Sequence, residues 1–81
     1  MAAPSIDPVH LDARGLRCPL PVIRLAQLAR GAAAGTALEV ITTDPAARHD
    51  IPAWCRMRHH VLVAQETRDD GVLVTSVRIG S

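Results

Sequence analysis

The chain has 81 residues, a formal charge of +1 and 48% hydrophobic residues, which describes one globular domain near the lower size at which an apolar core holds without staples. Trp54 is its only Phe, Tyr or Trp and its nine basic residues are all Arg; few rings and balanced charge count against nucleic-acid and anionic-membrane binding, and the missing Lys excludes Schiff-base chemistry on a side chain. No apolar run approaches the roughly 20 residues of a transmembrane helix and the start lacks a secretory signal, so we expect a cytoplasmic protein with a flexible tail over residues 1–8 and a single domain over residues 9–81.

Val9 to Asp12 reads as a short strand, followed by the loop Ala13-Arg14-Gly15-Leu16-Arg17. Cys18 then opens a helix to about Gly31, with Pro19 and Pro21 at its first and third positions, where a missing amide costs least. Val22, Leu25, Ala26, Ala29 and Ala33 recur at helical spacing while Arg24 and Gln27 face away. Ala37 to Thr43 alternates Leu38, Val40 and Thr42 against Glu39 and Ile41, as a strand does. Asp44-Pro45 is a helix-start signal, and Ile51, Trp54, Cys55 and Arg58 share one helical face. Pro52 leaves two possibilities for this helix: a start near Asp50 with Pro52 in the first turn, or a run from Pro45 with a bend. Residues 61–67 and 72–79 read as strands joined through the turn Asp69-Asp70-Gly71. The order βαβαββ predicts an α/β (α+β) two-layer sandwich. Its mixed four-stranded sheet has the first two strands parallel and both helices on one face.

Two Cys in a chain without a signal peptide do not make a disulfide framework. Cys18 at a helix N-cap sets a thiol against the positive end of the macrodipole, an effect of roughly 0.3–1 kcal/mol, up to ~2 when partly buried. Pro19 and Pro21 lack N–H groups, so Leu20 is the one amide donor left among the first three helical residues. With Arg14 and Arg17 nearby, the expectation is a thiol whose pKa is mildly lowered rather than a strongly stabilised thiolate. The competing reading is a small buried residue that happens to precede a proline, yet a position leading a helix after Arg-Gly-Leu-Arg is a poor place for a core residue.

The segment Leu11-Asp12-Ala13-Arg14-Gly15-Leu16-Arg17-Cys18-Pro19-Leu20-Pro21 resembles the Cys-Pro-X-Pro signature of the TusA (SirA-like) sulfur-carrier family. The likeness continues through Thr43-Asp44-Pro45-Ala46, Asp50-Ile51-Pro52-Ala53-Trp54-Cys55 and the closing hairpin. The resemblance implies the same two-layer sandwich, and it implies that Cys18 takes persulfide sulfur from a cysteine desulfurase or rhodanese-type donor and hands it to an acceptor protein. Family destinations include tRNA thiolation, molybdenum-cofactor assembly and sulfur oxidation. On this reading Pro19, Pro21, Gly15 and Asp12 support the motif, while Arg14, Arg17 and Leu20 shape a docking surface. There is no cofactor, only a transient persulfide on Cys18, and no direct contact with nucleic acid or membrane. Such a carrier is sulfurtransferase-like and needs no small-molecule active site. The residue between the prolines is often Glu in the tRNA-thiolation members; Leu20 is apolar, which leaves the pathway open.

Other residues are weighed the same way. Cys55, on the apolar stripe beside Trp54, reads as core in preference to a resolving partner for Cys18. His59 and His60 are adjacent, so they point in different directions and make a poor metal pair; no metal site is expected. Trp54 reads as a core anchor with its indole N–H hydrogen-bonded. Arg14 and Arg17 fit a solvated loop nearly as well as docking. Two other function classes remain: a small regulatory or nucleic-acid-binding module on the same fold, which a gel shift would reveal, and a thiol enzyme or redox switch, which lacks a C-x-x-C partner and an assignable base.

Overall fold

A computed structural model describes residues 8–80; apart from Pro8, the tail expected over residues 1–8 lies outside them. The elements are β1 (Val9–Ala13), α1 (Leu20–Arg30), β2 (Ala37–Thr42), α2 (Ala47–Arg58), β3 (Val61–Thr67) and β4 (Leu73–Arg78). They form the expected two-layer sandwich, its mixed sheet ordered β1-β2-β4-β3. β1 and β2 are parallel, with Leu11 opposite Val40 and Ala13 opposite Thr42. β4 is antiparallel to both β2 and β3.

Alternation along the strands decides which face is covered. Leu38, Val40 and Thr42 of β2 and Thr75 and Val77 of β4 are buried, and the register places Leu38 opposite Val77 and Val40 opposite Thr75. Leu25 of α1 and Ala47, Ile51, Trp54 and Cys55 of α2 complete one apolar cluster with Ala13, Leu38, Val40, Val77 and Ile79. Val22, Ala26 and Ala29 pack against it as the helical stripe predicts. Ala33 falls beyond α1 and is exposed, and Arg58 points out of the α2 stripe into solvent.

Two helix starts differ in detail from expectation. Cys18 does not cap α1. The Pro19 carbonyl accepts the first helical bond, from Ile23 N–H at 3.0 Å, which makes Pro19 the N-cap and leaves Cys18 one residue outside. Residues before proline are steered away from helical backbone, so the helix cannot reach back to include Cys18. Leu20 and Pro21 fill the first two helical positions, where an absent amide breaks no bond.

Of the two possibilities for α2, the structure takes the longer one. Asp44 initiates it: its Oδ1 accepts from Ala46 N–H at 3.0 Å and its carbonyl from Ala47 N–H at 3.1 Å. Pro52 therefore stands inside the helix and removes the amide that would serve the Arg48 carbonyl four residues back. Gln65 of β3 supplies the missing donor, its Nε2 reaching the Arg48 carbonyl oxygen at 3.2 Å. A side chain of the sheet thus repairs the helix that packs on it.

Replacing Gln65 with Ala should cost about 0.5–1.5 kcal/mol of stability, the worth of one such bond. In a Pro52→Ala background the restored amide serves Arg48 itself, and the same replacement should cost measurably less. Urea midpoints of the four proteins in this cycle give the coupling directly.

Candidate functional site

Parallel pairing makes β1 and β2 end at the same edge of the sheet, so the loops leaving them lie side by side. In open α/β sheets this carboxyl end is where ligands and chemistry collect. Gly15 turns the first loop with φ +80°, a backbone that side-chain-bearing residues rarely adopt. Its N–H donates to Thr43 Oγ1 in the second loop at 2.9 Å. The chain then passes Arg17 and presents Cys18, which is exposed.

The second loop and the first turn of α2 grip Cys18 at one point each. The Cys18 N–H donates to Asp44 Oδ2 at 2.6 Å, and the thiol donates to Asp50 Oδ2, with Sγ 2.7 Å from the oxygen. Asp44 thereby joins two tasks, since its other oxygen accepts from Ala46 N–H in the turn that leads into α2. Those two amides hold its carboxyl below the usual carboxylate range, with Arg17 adding a smaller attraction.

The expectation of a mildly lowered thiol pKa is overturned. The Cys18 thiol is pushed up, first by its hydrogen bond to Asp50, then by burial and by the negative charges of Asp50 and Asp44. A hydrogen bond donated by the neutral thiol favours that form, and nearby carboxylates disfavour the thiolate. The cationic influences foreseen from the sequence are absent or diverted. Leu20 N–H is taken by the Arg17 carbonyl at 2.8 Å. Arg14 forks onto Asp12, with Nε and Nη2 at 2.9 and 2.8 Å from the two carboxylate oxygens, and this holds the Asp12 pKa at about 2. Asp12 is thus engaged with Arg14, and no bond joins it to the sulfur among the described residues.

Sequence reasoning took Asp44 and Asp50 as marks of a helix start and as part of the family likeness, and assigned neither to the thiol. The parallel pairing of β1 and β2, once inferred, was the signal that Asp44 would meet the Cys18 loop; nothing local pointed to Asp50.

Beside the thiol runs a shallow groove of about 280 Å³, lined by Cys18, Pro19, Val22, Asp50, Ala53, Trp54 and Met57. Val22, Trp54 and Met57 also line its continuation between α1 and α2, which ends near Arg30, Arg58 and His60. Leu20 and Ile23 add exposed apolar surface on the α1 side. Pro19 walls the groove, whereas Pro21 is buried in the first turn of α1.

Cys55 is buried, free and outside the groove lining, and burial pushes its thiol up. Trp54 is 7% exposed and anchors the core against His60, the ring centroids 4.7 Å apart. No hydrogen bond of its indole N–H occurs among the described residues. His59 ends α2 in the left-handed conformation, and His60 Nδ1 accepts from Gly80 N–H at 3.0 Å. The two histidines therefore have separate structural tasks. Among the described residues no group of three metal-ligating side chains converges, and no helix is long and apolar enough to cross a membrane.

Replacing Asp50 with Asn removes the leading cause of the raised thiol pKa. The Cys18 pKa should fall toward the ordinary thiol value, read from the pH titration of the Cys18 Cβ carbon resonance. A titration midpoint unmoved by this change would contradict the assigned thiol–carboxylate bond.

Comparison with known proteins agrees with this picture. The family profile described as "Sulfurtransferase TusA" matches residues 9–79. Proteins named "Sulfur carrier protein TusA" from Pseudomonas putida strains F1 and GB-1 are 47% identical over 68 residues, covering 84% of this chain and 84% of theirs. The crystal structure of the SirA-like protein from Desulfitobacterium hafniense superposes with a TM-score of 0.78 at 26% identity, covering 90% of this chain and 99% of that one. By sequence and by fold, the chain belongs to the TusA sulfur-carrier family.

Proposed function

We propose that this protein carries sulfur as a persulfide on Cys18, taking it from a cysteine desulfurase or rhodanese-type donor and relaying it to an acceptor protein. The observation that carries this reading is an exposed thiol at the mouth of an open groove. Exchange between two proteins needs a sulfur that a partner can reach; it does not need an enclosed cavity.

In the loading step Cys18 attacks the terminal sulfur of the donor persulfide. A new S–S bond forms at Sγ, the donor's S–S bond breaks, and its electron pair leaves on the donor's cysteine sulfur, which takes up a proton. Discharge repeats the exchange with an acceptor thiol. The backbone around Sγ is braced for this by Pro19, by the Gly15–Thr43 bond and by the Cys18–Asp44 bond. The raised thiol pKa makes the deprotonated sulfur a stronger nucleophile, since thiolate nucleophilicity rises with pKa, while lowering the fraction that is deprotonated.

Leu20 and Arg17, both exposed, lie where a partner would dock. Leu20 presents an apolar surface where an acidic residue would repel or attract charge. The destination within tRNA thiolation, molybdenum-cofactor assembly or sulfur oxidation is then a matter of which partner fits that surface. Arg14, tied to Asp12, would meet a partner as half of an ion pair.

Intact mass spectrometry after incubation with a cysteine desulfurase and cysteine tests the assignment. Wild type and Cys55→Ser should each gain one sulfur, and Cys18→Ser should gain none. Equal sulfur uptake by wild type and Cys18→Ser would remove the basis of the proposal.

A further inference from the structure

The raised pKa of Cys18 sets a problem that the carrier reading alone does not solve. An ordinary thiol is already only a few per cent thiolate at neutral pH, and the two carboxylates beside Cys18 reduce that fraction further. A carrier that relied on the free thiolate would be slowed by its own site.

We propose that Asp50 is the proton acceptor for Cys18 during sulfur loading and returns that proton during discharge. This inference rests on the carrier reading above. Its first support is geometric. Asp50 Oδ2 lies 2.7 Å from Sγ, within the reach required of a general base toward the proton it removes. The second is placement. Asp50 belongs to the first turn of α2 and lines the groove together with Cys18, so it stands on the side from which a sulfur donor would enter. The third is the rest of the wall, where Val22, Ala53, Trp54 and Met57 offer no other side chain that could take the proton.

The charged groups around the thiol leave Asp50 as the only such acceptor among the described residues. On the loop before α2, Asp44 is occupied by the amides of Cys18 and Ala46. On the loop before α1, Arg17 acts on Asp44, and Arg14 is held by Asp12.

The step balances without an added reagent. Because a carboxylate is ordinarily more acidic than a thiol by roughly four to five pKa units, the proton does not leave in advance. It moves from Sγ to Asp50 Oδ2 as Sγ bonds to the donor's terminal sulfur, and the donor's S–S electron pair departs on the donor's cysteine sulfur. Asp50 then gives the proton to that departing thiolate or to water. Discharge runs in reverse: the acceptor thiol's proton passes through Asp50 to Sγ as the carrier's S–S bond breaks. Once loaded, Sγ has no proton to donate, so the bond to Asp50 exists only in the empty carrier.

The experiment is loading of the full chain by glutathione persulfide across a pH series, followed by intact mass spectrometry, with wild type, Asp50→Asn, Asp50→Glu and Cys18→Ser. Two effects oppose each other in Asp50→Asn, which is what makes the test decisive: a lower thiol pKa enlarges the thiolate fraction, while loss of the base removes the proton acceptor. The proposal expects Asp50→Asn to load at least about tenfold more slowly than wild type below the thiol pKa, a general-base loss of roughly 10²–10⁴-fold offset in part by the larger thiolate fraction, with the gap closing at high pH. Asp50→Glu should recover much of the rate. Wild-type loading should also slow in deuterated solvent by a larger factor than loading of Asp50→Asn.

If Asp50→Asn loads faster than wild type at every pH, in step with its larger thiolate fraction, Asp50 merely suppresses the thiol and the proposal is overturned. If Cys18→Ser takes up sulfur as fast as wild type, the carrier reading fails first and takes this inference with it.

Discussion

Parallel pairing of β1 with β2 is the constraint on which the rest of the site depends. It sets Ala13 beside Thr42, so both chains leave the sheet at one edge and their loops must share it. From that follow the bond between Gly15 and Thr43, the hold of Asp44 on the Cys18 amide and the approach of Asp50 to the sulfur. An antiparallel arrangement would send the two loops to opposite ends, and Cys18 would stand alone. The apolar cluster under both helices keeps this pairing in place, since Leu11 and Ala13 of β1 and Leu38 and Val40 of β2 pack into it.

The architecture was legible because each element carries its own periodicity. The alternation of Leu38, Val40 and Thr42 and the stripe of Val22, Leu25, Ala26 and Ala29 depend only on near neighbours in the chain. The Cys18 environment was not legible for the opposite reason. Asp44 and Asp50 stand 26 and 32 residues away, and they come close only after the sheet has formed. Arg14 misled because nearness in sequence was read as nearness to the sulfur, whereas Asp12 offers it a two-point bond at shorter range. Pro52 was recognised as an irregularity, but its remedy lies across the interface in Gln65, which no local pattern marks.

The same loop thus serves folding and chemistry at once. Asp44 begins α2 and positions the Cys18 backbone, so its carboxylate is committed to structure. Asp50 has no comparable hold on the backbone by its side chain; its carboxylate meets the thiol. A division of labour between two acids six positions apart in one loop–helix segment keeps the reactive position from being traded against the stability of the helix. It also explains how an 81-residue chain can place a reactive atom at its surface without opening its core.

At the far edge of the sheet, β3 displays Val61, Leu62 and Val63 to solvent. A row of exposed aliphatic side chains on an edge strand invites another chain to add to the sheet. Here the register with β4 slips between Leu62 and Ala64, leaving Val63 without a partner opposite. Such an irregularity bends an edge and spoils the even ladder that a stacking neighbour would need. The bulge at Val63 therefore disfavours the regular edge-to-edge pairing that fibre growth would require.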